Sequence, residues 1–141
     1  MPQLSEKAKS FLAEQHAAVL TTFRKDGAAQ MSIVSCGLYQ DTAAFTTTVG
    51  RAKLINLKRD SRCSLLVSKR DWWGYLVLEG RARLLNPVET DAATLRLALR
   101  DVYRAAAGKD HPNWQEYDEA MVREKRSVVM VVPERLYGPA A

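Results

Sequence analysis

The spacing of apolar and polar positions along this chain changes several times, and each change marks a predicted element. Ser5 caps a predicted helix running through Gln15, with Ala8, Phe11 and Leu12 on its buried side. A strand over 17–24 follows, ending in Lys25-Asp26-Gly27, and Asp-Gly between apolar runs is a strong hairpin signal. The return strand, 28–40, sets Gln30, Ser32 and Val34 against Met31, Ile33 and Ser35. After a turn at Gln40-Asp41-Thr42, residues 43–49 read as another strand. Gly50 breaks it, and Arg51 to Leu57 read as the first turns of a short helix with Leu54 and Leu57 inward.

Two further strands are predicted over 62–68 and 75–85. In the second, Tyr75, Val77, Glu79, Arg81 and Arg83 share one face, and Gly80 on the other suits a bulge. A long helix capped by Thr90 or Asp91 carries the stripe Leu95, Ala98, Leu99, Val102 and Tyr103, and Gly108 ends it. A second helix carries Trp114, Tyr117 and Met121. A last strand over 127–132 follows, with Pro133 closing it or starting an edge. The sum is mainly β within the α+β class: six antiparallel strands in a small barrel with peripheral helices. One domain is expected over 1–141.

Composition narrows the picture. Apolar residues make up 47% and charged residues 26% of 141, ordinary values for a soluble globular chain. The net charge of +5 points to an anionic partner without naming it. No apolar run approaches the ~20 residues that span a bilayer, and the first residues lack the apolar core of a signal peptide. A cytoplasmic location is the expectation. Cys36 and Cys63 fall in apolar runs without metal-ligand spacing, as free buried thiols do.

Candidate chemistry concentrates at the 43–56 stretch. A strand ending in Thr47 and Thr48, then Gly50, then a helix start carrying Arg51 and Lys53, is a plausible phosphate seat. The bland reading, solvated basic residues on an exposed helix, stands beside it. Trp72, Trp73 and Tyr75 offer aromatic surface, either for a planar ring or for a subunit interface. His16 and His111 form no nucleophile motif, and the polar loop around His111 reads as solvated surface. No catalytic residue and no metal ligand is expected. A nucleic-acid reading has only the overall basicity behind it.

The order Lys25-Asp26-Gly27, then FTTTVGRAKLINLKRDSRCSLLV, WWGYLVLEGRARLL and VVPERLYG resembles the pyridoxamine 5′-phosphate oxidase-like split barrels. Within them it resembles the branch of F420-dependent flavin/deazaflavin oxidoreductases of the B type. The resemblance covers nearly the whole chain and implies a six-stranded split barrel, homodimeric, with cofactor sites at the subunit interface. It further implies that Arg51 and Lys53 bind phosphate with Thr47, Thr48 and Asn56 nearby. Gln30, Ser32 and Val34 would line the pocket, and Trp73 and Tyr75 would close over the cofactor. Ser61 stands where relatives commonly carry Pro, and the ending lacks the Arg- and Trp-rich segment of true pyridoxamine 5′-phosphate oxidases.

The implied activity is hydride transfer between coenzyme F420 and a small conjugated or quinone-like substrate, without nucleic acid or membrane as partner. FMN is the alternative cofactor, and a flavin- or haem-binding protein without catalysis is the alternative function. The basic residues Lys69, Arg70, Arg81 and Arg83 favour F420, whose tail carries further carboxylates.

Overall fold

The computed structural model describes residues 3–141. Helix α1 (Glu6–Glu14) begins where the Ser5 hydroxyl accepts from the Ala8 N–H. The hairpin β1 (Ala17–Phe23) and β2 (Ala29–Ser35) turns at Asp26-Gly27, where Gly27 takes φ +88°. The predicted return strand is interrupted at Cys36, so Gly37–Tyr39 form a separate short strand, β3. The cause is packing: a Cβ at Gly37 would lie 2.3 Å from the Ala105 carbonyl carbon. The long helix can approach only because Gly37 has no side chain. The sheet therefore has seven strands rather than six.

Strand β4 (Thr42–Thr47) leads through Gly50, at φ +86°, into helix α2 (Ala52–Arg59). Strands β5 (Arg62–Ser68) and β6 (Tyr75–Leu85) follow, then α3 (Ala92–Ala107), α4 (Trp114–Arg123) and β7 (Ser127–Tyr137). Asp91 caps α3 by accepting from the Thr94 N–H, and Gly108 ends it in the left-handed conformation. Pro133 does not close the last strand. It pairs with Gly80, at the bulge between Glu79 and Gly80, where a Cβ on Gly80 would lie 1.9 Å from the Val132 oxygen. A bulge leaves a backbone donor unpaired anyway, so proline's missing N–H costs little there.

The sheet order is β2-β1-β5-β6-β7-β4-β3, antiparallel throughout. All seven strands contribute to one core, from Val34 on β2 to Leu38 on β3 at the opposite edge. A flat sheet cannot bring both edges to one core, so this one curls into an open barrel. Leu4, Ala8 and Leu12 from the N-terminal segment and Leu54 and Leu57 from α2 complete that core. A second apolar cluster seats α3 on the outside: Leu95, Ala98, Leu99 and Val102 pack on Ala44, Val128 and Met130. Among the described residues, no helix is long and apolar enough to cross a membrane.

Candidate functional site

The turn from β4 into α2 makes the site. Gly50 supplies the left-handed residue, and Arg51 takes the N-cap position in extended conformation without a side-chain cap. The first N–H groups of α2 are thus left without a capping oxygen, which an anion can supply. Beside this turn lies a cavity of about 520 Å³. Thr46, Thr47, Thr48, Arg51, Lys53 and Arg126 line it together with Val34 of β2 and the rings of Tyr103 and Tyr117. No carboxylate lines it among the described residues.

The electrostatics of this cavity follow from that list. Burial holds the Lys53 ammonium below its ordinary pKa of 10.5, and the neighbouring charges of Arg51 and Arg126 lower it further. Arg51 and Lys53 share the opening with Arg126, which is ion-paired with Glu124, and a bound anion would relieve the repulsion at Lys53. Arg126 is held in place: its Nε donates to Glu124 Oε1 at 2.9 Å and its Nη1 to Thr46 Oγ1 at 3.1 Å. Tyr117 donates its hydroxyl to the Leu99 carbonyl, and burial pushes its pKa up to about 12. It serves as a fixed apolar wall.

Of the ten residues named from sequence, the structure gathers five here: Val34, Thr47, Thr48, Arg51 and Lys53. Gln30 and Asn56 do not line the cavity. Asn56 is buried on α2 and donates through Nδ2 to Thr22 Oγ1 and to Gln30 Oε1, both at 3.0 Å. These two side chains tie α2 to the first hairpin. Ser32 is half-buried on β2, outside the cavity. Trp73 stands 84% exposed on the β5–β6 turn, and Tyr75 begins β6 with its ring close against Gly138; neither reaches the cavity within this chain.

Sequence reasoning missed Arg126, Thr46, Tyr103 and Tyr117. Arg126 follows α4 with no local motif, and only the pairing of β4 with β7 sets it against Thr46. The basic residues expected around the site lie elsewhere. Arg81 faces Glu134 at 4.0 Å and donates to Ser61, and Lys69, Arg70 and Arg83 are likewise absent from the lining.

The reading of His111 as solvated surface is also corrected. It is half-buried and stacked on Tyr117 at 5.2 Å, and its Nδ1 accepts from the Asn113 N–H. His16 is bonded through Nδ1 to the Cys36 carbonyl. Trp114 is covered by Tyr103, Arg100 and Arg104, and among the described residues Trp72, Trp73 and Tyr137 are the large exposed rings.

Residues 4–138 match the pyridoxamine 5′-phosphate oxidase family. The chain is similar to the F420H(2)-dependent biliverdin reductase of Mycobacterium tuberculosis, with 31% identity over 140 residues, 98% of this chain and 90% of that protein. Among solved structures it is similar to a conserved hypothetical protein of M. tuberculosis, with TM-score 0.75 and 22% identity over 94% of this chain and 82% of that one. It is also similar to an F420 reductase, with TM-score 0.63 and 21% identity over 92% of this chain and 94% of that one. At these identities the two structures establish the split-barrel fold.

Proposed function

The chain belongs to the pyridoxamine 5′-phosphate oxidase family, and on that premise we propose that it is an oxidoreductase using coenzyme F420. The observation that carries this reading is the cavity where Arg51 and Lys53 meet beside Arg126, with Glu124 pairing Arg126 and no carboxylate in the lining. Such a cavity fits a phosphorylated cofactor. The similarity to an F420H(2)-dependent reductase over nearly the full length of both chains supports the deazaflavin over FMN.

When bound, coenzyme F420 supplies hydride transfer between its ring and an electron-poor substrate, here a small conjugated or quinone-like molecule. The work of the protein is placement. Arg51 and Lys53 would hold the phosphate as charged donors, and the Thr47 and Thr48 hydroxyls would complete its hydrogen bonds. Val34 and the Tyr103 and Tyr117 rings would give the cavity a dry wall that fixes orientation and excludes water. No side chain is required as a nucleophile.

A second copy of the chain would complete the site. The residues Ile33, Val19, Leu66, Val77 and Tyr137 lie opposite one another across β2, β1, β5, β6 and β7, forming one apolar row. Ile33 is 83% exposed and Met31 69% at the end of this face. Val19 and Leu66 are half-buried and Val77 is buried, but the exposed ends of the row at Ile33 and Tyr137 fit an interaction surface. Pairing there would bring the exposed Trp73 and the half-buried Tyr75 of one copy toward the cavity of the other.

Titrating purified protein with F420 and with FMN, followed by fluorescence, tests the reading. Micromolar or tighter F420 binding with weaker FMN binding is expected. Preference for FMN, or no binding of either, overturns it.

A further inference from the structure

Helices α3 and α4 are tied together where the Tyr117 hydroxyl donates to the Leu99 carbonyl at 2.8 Å and the Arg100 guanidinium holds the Asp118 carboxylate, its Nε donating at 3.0 Å. One turn further along α4, Met121 and Val122 face the first turns of α3 across a second cavity, of about 630 Å³. Its wall is apolar. Leu95 and Leu99 belong to the buried cluster that seats α3 on the sheet, and Met121 packs against that cluster. Val122, 77% exposed, stands at the opening. A cavity of several hundred Å³ with apolar walls and a few polar groups at its edge is the usual form of a small-molecule site.

The charged groups at its edge divide by whether they already have partners. Asp118 is taken by Arg100, which holds its carboxyl below the usual range. Arg126 lines this cavity as well as the first, and is committed to Glu124 and Thr46. The exposed Glu119 accepts from Gln115 Nε2 at 3.4 Å. Arg96 on α3 and Arg123 at the end of α4 are left, and neither forms an ion pair or a side-chain hydrogen bond among the described residues. Two forked donors at the edge of an apolar cavity match a carboxylate whose remainder is apolar. A neutral ligand would leave both to water, and a cationic one would be repelled.

We propose that the cavity between α3 and α4 is a second ligand site, for a small apolar carboxylate. Arg96 and Arg123 hold the carboxylate, and Leu95, Leu99, Met121 and Val122 enclose the apolar body. An aromatic body suits Met121, whose flexible thioether makes favourable contacts with ring edges. This site goes beyond the cofactor reading and does not depend on it: Arg51, Lys53 and the threonine hydroxyls line the first cavity and not this one.

Calorimetric titration with 2-naphthoate and with its neutral isostere 2-naphthamide tests the assignment. One naphthoate per chain is expected, with naphthamide weaker by roughly three- to thirtyfold, the range of two partly exposed charge contacts. Arg96→Gln combined with Arg123→Gln should weaken naphthoate over the same range and leave naphthamide within about twofold. Val122→Asp, at an exposed position, should weaken both ligands, with thermal unfolding confirming that the variants are folded. In methyl NMR the Met121 signal should shift with naphthoate, while that of Met31, exposed on β2, should not.

Equal affinity for naphthoate and naphthamide, or no binding of either at millimolar concentration, overturns the proposal. So does a loss on Lys53→Gln that matches the loss in the double variant, which would put the carboxylate in the first cavity. Light scattering that shows Val122→Asp converting a dimer to a smaller species would assign the cavity to a second copy of the chain, and overturns it equally.

Discussion

Asn56 donates one amide group to both Gln30 and Thr22, each at 3.0 Å, and so joins helix α2 to the first hairpin. Arg59 adds a bond to the Asn56 oxygen at 3.1 Å. At 5% exposure, Asn56 has little access to water as a substitute partner. Asn56→Ala should therefore destabilise the fold by about 1–3 kcal/mol, the penalty for buried polar groups left unmatched. Urea denaturation measures it. An unchanged midpoint would mean that α2 is held by Leu54 and Leu57 alone.

Lys53→Ala should weaken cofactor binding roughly ten- to a hundredfold, since a charged hydrogen bond contributes about 1.5–3 kcal/mol. Stability should change little, because a half-exposed lysine carries few packing contacts. Lys109→Ala is the charge-matched control, on an exposed loop beyond α3. Equal losses from the two substitutions would show that net charge alone matters.

Cofactor affinity should fall as pH rises through the alkaline range, with the fall beginning below 10.5. Burial and the charges of Arg51 and Arg126 disfavour the protonated Lys53 in the free protein. A bound anion favours that form, so binding takes up a proton that is increasingly unavailable above the lowered value. Lys53→Arg, charged throughout this range, should flatten the profile. A wild-type profile flat to pH 10.5 would remove Lys53 from the anion's contacts.

Both thiols should resist a disulfide reagent in the native protein. Burial pushes Cys36 and Cys63 up to about 12, and the thiolate is the reactive form. Reaction should be slow near pH 8 and become fast for both residues on unfolding. Rapid labelling of the native state would reveal opening of the barrel around β5 or the Cys36 turn.

Ile33→Glu should reduce self-association. It places a charge at the end of the apolar row Ile33, Val19, Leu66, Val77 and Tyr137, where a second copy is proposed to pack. Light scattering is expected to give a dimer for the natural chain and a smaller species for the variant. A natural chain that is monomeric at micromolar concentration would rule out the shared site.

The sequence carried the elements whose causes are local. Ser5 and Asp91 cap their helices, Gly27 turns the first hairpin, Gly108 ends α3, and Gly80 marks where the β6–β7 pairing bulges. Each depends on the conformational needs of a few neighbouring residues, and so is visible in a short window. The Gly50-Arg51-Lys53 turn was legible for the same reason. Other features depend on groups far apart in the chain. The break at Cys36 arises because α3, some 70 residues onward, packs backbone against Gly37. Asn56 and Gln30 bond to each other and do not line the cavity because the core sets α2 against the first hairpin. Arg126 joined the cavity because β4 and β7 pair, setting it against Thr46 across 80 positions of sequence. Local pattern reports which face a residue shows, but only the closed core decides which distant residue meets it there.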